Sequence, residues 1–228
     1  GGTPDANGTW TSPSGNSSDG TFDPVTDETG AYMYTLAGIA PCLAATSQVI
    51  VSVSQLPNAG VDGDITLCAI DAVLALYGEL GGSPDATGTW TAPGGSAHSG
   101  TFDPAFDPAG TYTCTVTGAA PCPSDASIVT VAVETPPNAG SNGALSLCSS
   151  SAVEDLFAAL NGTPDTGGTW SAPGGGSSDG SLDPSIAQAG SYVYTVNGTT
   201  PCPSATAQID VTITAAVDAG SDGAILLC

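Results

Sequence analysis

The chain has no lysine and no arginine, against 22 acidic residues and one histidine, which leaves a formal net charge of −22. Phosphate backbones are gripped by lysine and arginine through counterion release, so nucleic acid is not expected as a partner. Anionic lipid surfaces are disfavoured for the same reason. No Lys-Asn isopeptide staple can form, and trypsin-like proteases find no cleavage site. Apolar runs are short. None approaches the roughly 18 residues of a spanning helix, so direct membrane insertion is not expected. Nor does the sequence show an initiator methionine, a signal peptide or an anchor.

What is present is a repeat. Trp10, Trp90 and Trp170 recur at an interval of 80 residues, each closing a stretch of the form Gly-Gly-Ser-Pro-Asp-Ala-Thr-Gly-Thr-Trp90. Cys42, Cys122 and Cys202 keep the same interval, as do Cys68, Cys148 and Cys228. Such self-similarity takes precedence over every other reading, because one supersecondary unit is being copied. Proline-containing or glycine-ended linkers at residues 55–60, 135–140 and 215–220 divide the chain. The expected modules are a partial one at 1–56, complete ones at 57–136 and 137–216, and the first strands of another at 217–228. Because the chain starts in mid-repeat, it is expected to be a window cut from a longer tandem protein.

With 40% hydrophobic residues the chain can build cores, and Gly 31 and Pro 18, set between short apolar alternations, predict an all-β fold with many tight turns. In the second module, residues 64–68 read as a strand. Val73, Leu74, Tyr77 and Leu80 then fall at helical spacing, which predicts one short inserted helix between the second and third strands. Ser151 and Glu154 have the form of a capping box for its counterpart, and Asn161-Gly162 the form of its stop. Residues 88–91 follow as a strand that turns Trp90 inward. Residues 112–116 alternate, with Tyr112, Cys114 and Val116 on one face. Residues 126–133 close the module as a β-branched strand. All three tryptophans are expected in cores.

Six or seven short strands, a Cys ending an early strand, an inward Trp90 and Tyr112-Thr-Cys114 resemble the immunoglobulin-like β-sandwich class. The first and third repeats place Tyr34 and Tyr194 where that class has its second cysteine, so its usual cross-sheet disulfide is not expected here.

Seven cysteines suggest an oxidising, extracellular setting. If strands alternate in direction, the second and sixth end at one pole, which predicts the pairs Cys68-Cys122 and Cys148-Cys202. Linking Cys42 to Cys68 and Cys122 to Cys148 would instead join opposite poles, beyond the roughly 7 Å a disulfide allows. Cys114 is left as a buried free thiol, with an intermolecular partner as the alternative. Cys42 and Cys228 are expected to find partners outside this chain, or each other between copies if the tail of one chain completes the head of the next. The alternative is a covalent array in which they meet further modules.

No catalytic set emerges. Asp5, Asp85 and Asp165 follow a proline, while Asp23, Asp103 and Asp183 precede one, positions where Asx side chains make turns. His98 stands where the sister copies have Ser18 and Ser178, and reads as a surface-loop residue with no catalytic partners. Asp62, Asp64, Asp218 and Asp222, near two of the linkers, are candidate Ca2+ ligands, although the middle copy offers only Asn142. No other cofactor is expected. Asn7, Asn16, Asn161 and Asn197 head N-glycosylation sequons.

The run Leu-Cys, an apolar helix, Gly-Thr-Pro-Asp, Gly-Thr-Trp, Gly-Thr-Phe-Asp-Pro, Ala-Gly-Thr-Tyr and Pro-Cys-Pro-Ser, closed by a Val-Thr-Val strand and a Pro-containing linker, resembles the tandem immunoglobulin-like repeats of giant Bacteroidota surface adhesins exported by the type IX system. That resemblance covers the whole chain. It implies no catalytic residues, an extracellular or cell-surface location, and a structural or adhesive role in a filament or giant adhesin whose partners are further copies of itself. A surface or glycan ligand, or Ca2+, bound at a loop-rich pole is the alternative.

Overall fold

The computed structural model describes residues 3–220 and 222–226. By compactness the chain falls into two units. One comprises Gly1–Ala59, Asp85–Gly88 and Thr115–Ala126; the other comprises Gly60–Pro84, Thr89–Cys114 and Ser127–Cys228.

The first repeat contains strands β1 (Thr9–Thr11), β2 (Ser17–Ser18), β3 (Gly30–Leu36) and β4 (Ala45–Val51). The second contains β5 (Gly63–Cys68), β6 (Leu74–Ala75), β7 (Thr89–Thr91), β8 (Ala97–His98), β9 (Thr101–Phe102), β10 (Gly110–Val116) and β11 (Asp125–Glu134). The third repeats that set as β12 (Gly143–Cys148), β13 (Glu154–Asp155), β14 (Thr169–Ser171), β15 (Ser177–Ser178), β16 (Ser181–Leu182), β17 (Gly190–Val196) and β18 (Ala205–Thr214).

In the third repeat a five-stranded sheet, ordered β12-β18-β17-β14-β15, is accompanied by the pair β13-β16. The second repeat has the same arrangement, β5-β11-β10-β7-β8 with β6-β9. Alternation explains the sheet's buried face. Tyr192, Tyr194 and Val196 from β17 and Ala207, Ile209 and Val211 from β18 point to one side. They meet Trp170, Leu182, Leu156 and Leu160 in a continuous core. The corresponding cluster in the second repeat contains Trp90, Phe102, Tyr112, Cys114, Val129, Val131, Leu76 and Leu80.

Two tyrosine bridges hold this core to the backbone. Tyr192 donates to the Gln188 carbonyl at 3.0 Å, as Tyr112 does to Pro108 at 2.8 Å. This is the short upstream bond of a tyrosine corner, found in immunoglobulin-like sandwiches. Tyr194 reaches further: its hydroxyl donates to the Asp165 carbonyl and accepts from the Gly168 amide, both at 2.8 Å. Tyr34 makes the same pair of bonds to Asp5 and Gly8.

The expected inserted helix is corrected. Residues 69–80 contain the short strand β6 and one 3-10 turn, Leu76–Glu79; residues 149–160 contain β13 and the turn Leu156–Ala159. The apolar stripe does not act as a helix face, because Leu76 and Leu80 are buried while Val73 is 61% exposed. Pairing overrides helical spacing here: Leu74 pairs with Phe102, and the Leu76 amide donates to the Gly100 carbonyl at 2.9 Å. The capping box is also absent. Ser151 Oγ accepts from the Cys148 amide at 3.2 Å, Glu154 lies in β13, and Asp155 caps the 3-10 turn through the Phe157 amide.

The expectation of three core tryptophans also needs correction. Trp90 and Trp170 are buried, but Trp10 is only half-buried. Among the described residues, the first repeat has nothing matching the β6 or β13 segment to close over it.

Candidate functional site

The position of the early cysteine follows from strand direction. β12 runs parallel to β18, with Gly143 opposite Ile209 and Cys148 opposite Thr214. Thr214 ends β18, while Cys202 precedes its start at Ala205. A ten-residue strand spans roughly 30 Å, so Cys148 and Cys202 lie at opposite ends of their own repeat. β5 has the same parallel register on β11, which sets Cys68 opposite Glu134.

The disulfide observed is therefore Cys68–Cys202, with Cα atoms 4.9 Å apart. It corrects both expected pairs, Cys68-Cys122 and Cys148-Cys202, which rested on an antiparallel early strand. The link runs from the end of β5 in one repeat to the turn before the last strand of the following repeat. Cys68 is fully buried, and Cys202 is 6% exposed. Around them, the Cys68 amide donates to Asp71 Oδ2 at 2.7 Å and the Ala69 amide to the Glu134 carbonyl at 2.9 Å. Cys202 Sγ lies 3.4 Å from that same carbonyl oxygen. Closing a span of 134 residues contributes about 5 kcal/mol in the chain-entropy limit.

The other cysteines are free thiols among the described residues. Cys114 is fully buried, and burial pushes its thiol pKa up. Cys148 is half-buried and held below the usual thiol range by the Ser150 hydroxyl, 3.2 Å away. Cys122 Sγ lies 3.5 Å from the Ser54 carbonyl. Cys42 is exposed. The Cys42-Cys228 pairing lies outside the described residues, because Cys228 does.

The acidic residues act mainly on backbone. Asp85 grips the linker reciprocally, accepting from the Asn58 amide at 2.9 Å and donating its own amide to Asn58 at 2.8 Å; Asp165 does the same with Asn138. Asp103 and Asp183 each accept from the amide two residues on, at 3.0 Å. Asp62 accepts from the Ile128 amide at 2.8 Å, and Asn142 accepts identically from Gln208 at 3.0 Å. An acceptor oxygen is all this position requires, which explains the Asp-to-Asn exchange. Asp218 accepts from the Gly220 amide, and Asp64 lies on β5. Among the described residues, no three carboxylate, imidazole or thiol groups gather to hold a metal, so Asp62, Asp64, Asp218 and Asp222 are not brought together.

His98 lies in β8 with its side chain 11% exposed, not on a surface loop. Its Nδ1 accepts from the Gly100 amide at 3.1 Å, the role that Ser178 Oγ has toward Gly180. Nε2 faces Asp107 at 3.5 Å.

A cleft of about 650 Å3 in the first repeat is lined by Ser12, Asp19, Asp23, Asp27 and Glu28. Hydroxyl and amide donors hold Glu28 and Asp19 below the usual carboxylate range: Ser14 toward Glu28, Thr21 toward Asp19. A general acid needs the opposite shift. No helix is long and apolar enough to cross a membrane among the described residues.

Sequence reading missed the roles of Asp71 and Ser151, which steady the two early-strand cysteines. The signal was present as a shared offset, since each residue follows its cysteine by three.

No protein-family profile and no curated protein matches the chain. Solved structures do. The I-band fragment I67–I69 of titin aligns with a TM-score of 0.51 at 13% identity, over 91% of this chain and 88% of that one. An E-to-A variant of the same titin domains gives 0.49 at 14% identity over the same shares. Extracellular domains 3–5 of Drosophila OTK give 0.34 at 16%, over 81% and 71%. At this identity the titin likeness concerns fold, and the fold is a tandem of immunoglobulin-like β-sandwiches.

Proposed function

We propose that the chain is a structural and adhesive segment of an extracellular filament or giant surface adhesin, of the Bacteroidota type IX-exported kind that its repeats resemble. The observation that carries this reading is the Cys68–Cys202 disulfide between consecutive repeats. A staple inside a domain stabilises that domain; a staple across two repeats carries tension from one to the next. The linkers add grip, because Asp85 and Asp165 fasten Asn58 and Asn138 at their backbones. With 22 acidic residues and no lysine or arginine to neutralise them, such filaments repel one another and stay apart unless divalent cations bridge them.

Electron microscopy of the purified, oxidised protein tests the reading. Regular fibres are expected, and EDTA is expected to loosen lateral bundles while single strands persist, since Asp62 and Asp218 are already committed to backbone amides. A monodisperse particle would overturn the reading, and strands that fall apart on chelation would replace it with calcium-clamped linkers.

A further inference from the structure

The chain contains Asp-Pro bonds at Asp23, Asp103, Asp107 and Asp183. Such a bond carries its own means of cleavage. The carboxylate can close a five-membered ring on its own carbonyl carbon, and the proline nitrogen, which bears no hydrogen, leaves as a secondary amine once protonated. A fold suppresses this by holding the carboxylate elsewhere.

Three of the four are so held. Asp103 and Asp183 each turn a carboxylate oxygen forward to the amide two residues on, at 3.0 Å, and their prolines, Pro104 and Pro184, are buried. Asp23 turns forward in the same way, to Val25 at 2.9 Å. Asp107 instead reaches back. Its Oδ2 accepts from the Asp103 amide at 2.7 Å, while Oδ1 accepts no hydrogen bond among the described residues. Pro108 is exposed to water, and the Tyr112 hydroxyl anchors its carbonyl at 2.8 Å. The Asp107–Pro108 bond is therefore fixed on both sides, and His98 Nε2 lies 3.5 Å from Asp107 Oδ2.

These features meet in one repeat. His98, Asp107 and Pro108 correspond to Ser18, Asp27 and Glu28 in the first repeat, and to Ser178, Ala187 and Gln188 in the third. The orientation of the imidazole is also set. Its Nδ1 accepts from the Gly100 amide at 3.1 Å, so the proton sits on Nε2, toward Asp107. The titratable groups that face it are the Asp107 carboxylate and the Tyr112 ring, whose centroid is 4.8 Å away. Imidazole changes charge between about pH 5 and 8. A proton on Nδ1 ends the bond from Gly100 and frees the ring to turn, which lets Nε2–H pass from the carboxylate to the adjoining Pro108 nitrogen.

We propose that the chain cuts itself between Asp107 and Pro108 in mildly acidic solution, with Asp107 as nucleophile and His98 as general acid. Asp107 Oδ1 bonds to the Asp107 carbonyl carbon. The C–N bond to Pro108 then breaks, its electron pair stays on nitrogen, and that nitrogen takes a proton from the His98 imidazolium. One water opens the cyclic anhydride to two carboxylates. Of the two protons this frees, one restores the imidazolium and the other charges the proline amine. Because the cut lies between Cys68 and Cys202, the disulfide keeps pieces 1–107 and 108–228 in one covalent molecule. Parting the chain takes both acid and a reductant. This activity goes beyond the filament reading, which does not depend on it.

The test incubates the oxidised full chain at about pH 5.5 and at about pH 8, with intact mass measured before and after reduction. At the lower pH the unreduced molecule should gain one water, and reduction should then give two pieces, the second beginning at Pro108. Asp107→Asn keeps an oxygen for the Asp103 amide, and His98→Ser puts the sister repeats' residue in place; each should slow the cut by about a hundredfold. Asp23–Pro24 is the internal reference. In denaturant the Asp23 and Asp107 bonds should break at similar slow rates, whereas in the folded chain the Asp107 bond should break far ahead. Equal cutting at both bonds in the folded chain, an unchanged rate in His98→Ser, or no cut in acid would overturn the proposal. Two pieces released before any reductant is added would instead overturn the disulfide tether, and with it the observation that carries the filament reading.

Discussion

Tyr194 shows most clearly how a single side chain sets local structure. It is 2% exposed, its ring lies 5.0 Å from Trp170, and its hydroxyl serves two backbone groups at once. Removing that oxygen strands the Gly168 amide and the Asp165 carbonyl beside a packed core. Tyr194→Phe is therefore expected to cost about 1–3 kcal/mol in a denaturant titration; an unchanged midpoint would show that water takes over both bonds. The second repeat has no such bridge because Cys114 stands in that place, and its core closes around a smaller side chain. Residue roles of this kind were partly legible. The turn-making aspartates could be read from their neighbouring prolines, but the linker grip of Asp85 and Asp165 could not, because its partners lie 27 residues away.

Among the elements, the early strand decides most. β12 approaches the 3-10 turn so closely that a Cβ on Gly143 would lie 2.2 Å from the Ala159 carbonyl oxygen, and Gly63 meets Glu79 in the same way. Gly143→Ala should destabilise the chain by about 1–3 kcal/mol through overpacking, read as a fall in thermal midpoint; a neutral result would mean the turn simply shifts aside. The strands themselves were readable from alternation, notably Tyr112-Thr-Cys-Thr-Val116. Two features were not. The stripe Val73, Leu74, Tyr77 and Leu80 fits a helix as well as it fits β6 plus a 3-10 turn, and the long-range pairing of Leu74 with Phe102 decides between them. The parallel direction of β5 leaves no mark in its own residues either. It depends on β11, whose pairing residues lie 66 positions further along the chain.

Across the whole molecule, that one direction changes what the cysteines are for. With an antiparallel early strand each repeat would staple itself; with a parallel one the cysteine leaves at the far end and bonds the next repeat. The composition and the 80-residue rhythm could be read from the sequence, whereas the covalent path between repeats could not. Pulling single molecules by their two ends, with the free thiols blocked beforehand, tests that path most directly. The fully stretched, oxidised chain should be short by the 134 residues bypassed between Cys68 and Cys202, and reductant should release about 45 nm in one step. Two separate releases of roughly 19 nm each, the lengths hidden by Cys68–Cys122 and Cys148–Cys202, would contradict the account.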